Sequence, residues 1–164
     1  ALPAPELTLS FPDWHDQRLV ARFRVRFPAG TQLEPVEAAG GKEVRISVSG
    51  LIDREAGVFE RFRNRFVFAP PAETTPPVLI VERALRPNES FVARLDVRDE
   101  TTGRTVRVER AFTVPAEPTP EAAETTADAV VGQDLPAIRA TQHATGVNDN
   151  QTIQCAHALS LSGK

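Results

Sequence analysis

The densest group of side chains able to do chemistry is DWHD at residues 13–16. Asp13, His15 and Asp16 carry oxygen and nitrogen donors of the kind that hold a metal. Three donors within four residues still need a folded-back loop and a fourth ligand from elsewhere. The stretch therefore reads as a loop between the first two strands, with Trp14 expected to plug one end of the fold. QCAH adds two soft ligands, Cys155 and His157, without a second pair at zinc-site spacing, and His143 stands alone. SVSG at 47–50 lacks the leading glycine of G-x-S-x-G and lies in a strand-like run, where an exposed nucleophile elbow cannot form. GG at 40–41 is not followed by the Lys-Ser/Thr and helix of a phosphate cradle. NES at 88–90 matches a glycosylation acceptor and reads equally as a turn into a strand. The expectation is a protein without catalytic, cofactor or metal site.

Arginine offers the other chemistry. RFRVRF at 22–27 and RFRNRF at 61–66 interleave arginine with aromatic residues, the composition expected of a nucleic-acid platform. Successive strand residues face opposite sides, so Phe23, Val25 and Phe27 point one way and Arg22, Arg24 and Arg26 the other. Stacking aromatics and phosphate-binding arginines would have to share an exposed face. The aromatics are thus expected in a core, and Arg61, Arg63 and Arg65 form a candidate anionic-ligand face on the outside. Acidic residues on a neighbouring strand would neutralise that face.

The elements that must position these residues follow from composition and period. The chain has 164 residues, 41% hydrophobic and 25% charged, enough for one domain with its own core and some excess. Fourteen prolines argue against a helical bundle. The net charge of −3 is unevenly spread, with 16 basic against 13 acidic residues over 19–112 and 2 against 6 over 113–164. Neither part is charged enough to specify a polyanionic partner. No run approaches the roughly 18 apolar residues of a membrane helix, so no membrane insertion of this segment is expected. The single cysteine permits no internal disulfide. A start of ALPAPE in a chain without methionine is expected of a mature end after signal cleavage or of an excised fragment.

Period-two segments recur at 7–11, 19–27, 44–52, 58–68, 78–85, 91–98 and 104–114, separated by turn compositions such as FPAG, DREAG and RPNE. Seven short strands in this length predict an all-β, immunoglobulin-like antiparallel sandwich over 1–115. Pairing 44–52 with 58–68 so that Val44 meets Phe66 and Val48 meets Phe62 puts the apolar faces together. In the last hairpin Val97 should face Val106, with Asp96 opposite Arg107 and Arg94 opposite Glu109. Asn64 and Arg110 fall on the inward side, and Arg110 is expected at a bulge or at the end of the sandwich. Residues 116–164 read as a low-complexity, disordered linker or tail.

The run FERFRNRFVF and the stretch VLIVERALRPNESFVARLDVRDETTGRTVRVERAFTVP, within 58–115, resemble β-sandwich segments of large secreted or envelope proteins of Acidobacteria-type bacteria. The shared cues are the LRPNE turn at 85–89 and the DETTG hairpin at 99–103. The resemblance implies an extracytoplasmic module, periplasmic, secreted or in the cell envelope. Some such proteins also carry von Willebrand factor A-type domains, but the metal motif D-x-S-x-S of those domains does not occur here. The function expected is a non-enzymatic spacer, or a module that docks other domains or a protein partner by strand addition. Val78, Leu79, Ile80 and Val81 form the least protected strand, preceded by prolines and free of charge until Glu82. Two alternatives are a carbohydrate-binding sandwich, disfavoured because most of the phenylalanines have inward parity, and binding of nucleic acid or another anionic polymer by the arginine face.

Overall fold

The computed structural model describes residues 2–71, 75–119 and 129–134. Among these residues the regular elements are all strands: β1 (Glu6–Ser10), β2 (Trp14–His15), β3 (Arg18–Arg26), β4 (Val36–Ala38), β5 (Gly41–Arg54), β6 (Gly57–Phe68), β7 (Val78–Leu85), β8 (Ser90–Asp99), β9 (Thr105–Thr113), β10 (Ala129–Val131) and β11 (Gln133–Asp134). Each of the seven alternating segments of the sequence is one of these strands. No helix among the described residues is long and apolar enough to cross a membrane.

The strands form two sheets. One runs β1-β3-β7-β10 with β2 beside β3, and the other runs β11-β6-β5-β8-β9 with β4 beside β5. All pairings are antiparallel except that of β10 on β7. Alternation decides which face of each strand is buried. Phe23 and Val25 of β3 and Leu79, Val81 and Leu85 of β7 meet Ile46 and Val48 of β5, Phe66 of β6 and Leu95 and Val97 of β8 in one core. Phe23 approaches Phe112 of β9 edge-on, with ring centroids 5.7 Å apart, so the two sheets touch through aromatic rings on that side as well.

The β8–β9 hairpin has the expected register, with Val97 opposite Val106 and Phe91 opposite Phe112. The β5–β6 hairpin is displaced by two residues from the expected pairing: Val44 meets Phe68, Ile46 meets Phe66, Val48 meets Asn64 and Gly50 meets Phe62. Two causes are visible. The turn is tighter than a loop over DREAG, because Gly57 takes a φ of 120° directly after two turn residues, and a bulge at Ile52/Asp53 absorbs the mismatch. The Phe62 ring also lies over Gly50, where a Cβ would come within 2.0 Å of it. A two-residue displacement preserves parity, so the burial pattern is as expected although the partners differ.

Trp14 does not plug the sandwich. Asp16 and Gln17 both adopt left-handed φ values, 48° and 63°, and fold β2 tightly back on the start of β3, which leaves Trp14 46% exposed. Arg110 does register with Ala93, but it is exposed, and its Nη1 donates to the Leu7 carbonyl oxygen at 2.8 Å. The stretch read as linker also contains structure, since β10 and β11 lie within it. The remainder of the expected disordered tail, 120–128 and 135–164, falls outside the described residues.

Candidate functional site

The β6/β7 side of the sandwich combines most of the residues singled out by type and spacing. In β7, Leu79 and Val81 point into the core, while Ile80 lies on the opposite face and is nevertheless buried. Val78 is half-buried at the start of the strand. One long edge of β7 pairs with β3 over eight residues, from Arg26↔Val78 to Leu19↔Leu85. Its other edge receives β10 in parallel, with Ala129, Val130 and Val131 level with Val78, Leu79 and Ile80. The chain then crosses to the other sheet at Gly132, and Gln133 and Asp134 pair with Arg65 and Asn64 of β6. Residues 129–134 thus form a strap that joins the edges of both sheets.

Beneath this side lies a buried ion pair, one member of which strand alternation places inward. Leu79, Val81, Arg83 and Leu85 share one parity, so Arg83 faces inward with three core residues. It is 5% exposed. Its guanidinium lies 4.5 Å from the centroid of the Phe62 ring, and its Nε is 3.4 Å from Glu60 Oε1. The aromatic face and the carboxylate together compensate a charge whose burial would otherwise be costly. Parity is the only sequence signal for Arg83, because its partners Glu60 and Phe62 lie on β6 in the other sheet.

Arg61, Arg63 and Arg65 occupy the outer face of β6. They do not act alike. Arg65 donates from Nε and Nη2 to Glu100 Oε2, at 3.1 and 2.9 Å. Arg61 and Arg63 make no ion pair within the described residues. The outer face of the neighbouring strands is largely neutralised: Arg107 holds Asp96 through two hydrogen bonds of 2.7 and 3.0 Å, Arg94 bridges Asp53 and Glu109, and Arg45 pairs with Glu43. The Arg107 hydrogen bonds hold the Asp96 carboxyl below the usual carboxylate range. Between the arginines of β6 and those of β8 runs the small-residue pair Ser47 and Ser49 of β5, level with Arg65 and Arg63.

The DWHD stretch is divided among the residue before β2, β2 itself and the turn that follows it. Asp13 Oδ1 accepts from the Trp14 backbone N–H, and His15 lies 3.5 Å from Asp16. No group of three or more His, Cys, Asp or Glu side chains with metal-site geometry occurs among the described residues. His143, Cys155 and His157 lie outside them. No protein-family model matches the chain, and no curated protein matches it significantly.

Proposed function

We propose that this chain is a non-enzymatic β-sandwich module of a larger extracytoplasmic bacterial protein, which accepts an extended segment of a neighbouring domain or protein partner along β7. The observation that supports this reading is the strap: the outer edge of β7 already takes up, by backbone pairing, a segment more than forty residues away in sequence. Strand addition draws its affinity from main-chain hydrogen bonds and its specificity from pockets for alternate side chains. The order of the seven main strands supports the immunoglobulin-like or fibronectin-III-like part of the reading. Counted among those seven, the first, second and fifth share one sheet, and the fourth, third, sixth and seventh share the other. The extracytoplasmic and bacterial assignment rests on the LRPNE and DETTG resemblance alone.

A display library of extended peptides, panned against the full chain, tests the proposal. Binders should protect the amides of 78–81 from exchange. Binders that protect only β6 and β8, and that are lost at high salt, would favour the arginine face instead. Arg61 and Arg63, without ion pairs among the described residues, are the observation in favour of that second reading, an anionic polymer held by the outer face of β6. Replacing both with glutamine should then abolish retention on heparin.

A further inference from the structure

The strap pairs with three residues of β7 and two of β6, whereas β3 pairs with β7 over eight. Elements with so few backbone pairs open at a lower free energy than the sheets they border. Its path is nonetheless specific. At Gly132 a Cβ would lie 2.6 Å from the Phe66 ring and 3.0 Å from Asn64 Cβ. Phe66 is fully buried and Asn64 nearly so, so neither can yield without disturbing the core. Only glycine passes there without displacing a core ring. The strap covers Val78, Leu79 and Ile80, three residues of an apolar stretch that would otherwise border on open sheet edge.

We infer that residues 129–134 are a ligand in cis, which keeps the strand-accepting edge of β7 closed until a competing segment displaces it. The inference rests on the strand-accepting reading above and names its regulation and the chemistry of its partner. A partner that takes the same path runs parallel to β7. It has small or β-branched residues at the three positions level with Val78, Leu79 and Ile80, as AVV has here. Glycine follows, where the path crosses Phe66, and then a polar residue level with Arg65, on whose outer face it must remain solvated. Larger side chains at the glycine position are excluded by the Phe66 ring, which gives the site a sequence requirement that backbone pairing alone lacks.

Two full-length variants test this. Gly132→Val forces the strap off the Phe66 ring, and replacement of 129–134 by serine and glycine removes its pattern should the first variant fold poorly. Hydrogen exchange should accelerate at 78–81 in both, while the amides of Ile46, Val48, Leu95 and Val97 stay as protected as in wild type. A dye-labelled peptide of residues 127–136, ADAVVGQDLP, should bind the variants about tenfold more tightly than wild type, because the cis competitor is gone. The same peptide carrying Gly132→Val should not bind. Unchanged exchange at 78–81 in both variants overturns the guarding role of the strap. Accelerated exchange without peptide binding overturns strand acceptance itself, so the two ideas fail separately. Equal binding of the two peptides overturns the glycine requirement.

Discussion

Gly50 shows how much a missing side chain determines. The Phe62 ring fills the place of its absent Cβ and carries the Arg83 guanidinium on its own surface, so three residues from β5, β6 and β7 form one stack. Phe62→Ala should therefore cost about 3–5 kcal/mol in denaturant unfolding, against less than about 0.5 for the outward Arg63→Ala. Gly50→Ala should cost about 1–3 kcal/mol by overpacking, and much less in a Phe62→Leu background, because the two positions are coupled. Equal costs for Gly50→Ala in both backgrounds would separate glycine from ring. At Asp96 the expected effect is one of pH. A carboxylate held below its ordinary pKa contributes stability that is present above that ordinary value, about 3.9, and lost as pH falls through the lower folded value. The difference in thermal midpoint between wild type and Asp96→Asn should be constant near neutrality and close below about pH 4. It should also shrink with salt, since the pair is exposed to solvent. Parity made the inward phenylalanines and the outward arginines legible in the sequence. It placed Arg83 inward too, but a charge among apolar residues has no partner visible in one dimension, and Glu60 and Phe62 belong to another strand of the opposite sheet.

At the scale of the element, strand existence was easier to read than strand alignment. Alternation repeats every two residues, so registers two residues apart bury the same faces and differ only in which side chains meet. The β8–β9 hairpin was unambiguous because its outer charges, Asp96 with Arg107 and Arg94 with Glu109, select one alignment. No such charge pairs select the alignment of β5 with β6, where serines face arginines, and a bulge alters the count. The DETTG turn that closes β8–β9 is a composition cue with a physical basis. Asp99 is fully buried, and its Oδ1 accepts from the N–H groups of Thr101 and Thr102 at 2.9 and 3.3 Å. Arg104 Nη2 reaches its other oxygen at 3.3 Å. Gly103, at a φ of 74°, supplies the left-handed step that lets its N–H reach the Asp99 carbonyl oxygen at 2.8 Å. Asp99→Ala removes the acceptor of two backbone donors and should cost about 1–3 kcal/mol. Asp99→Asn retains an acceptor oxygen and should cost less. Chemical denaturation of the two variants, read at Phe112, checks the ranking.

For the whole molecule, a sandwich of two open sheets has two sides at which edge strands face each other, and here the two are closed by different means. On one side β1 and β9 approach, and Arg110 of β9 donates across the gap to the carbonyl oxygen of Leu7 in β1. Shortly beyond β9, the Thr119 N–H reaches the Phe11 carbonyl oxygen at 2.9 Å and adds a backbone tie on that same side. On the other side the strap joins β7 to β6. This second closure was not legible in the sequence, because a three-residue AVV followed by glycine is too short to show a period, and its partners lie more than forty residues away. The consequence is that the described fold includes residues 129–134, beyond residue 115. A chain ending after Ala116 loses the strap and the Thr119 contact and should unfold more than about 5 °C below one ending after Asp134, on the order of 1 kcal/mol for a domain of this size. Calorimetry on the two truncations decides it. Arg110→Ala in the longer chain should add to the loss in the shorter one without coupling, because the two closures lie on opposite sides of the sandwich and share no partner. Coupling between them would mean instead that the sheets shift as rigid bodies, so that opening one side loosens the other.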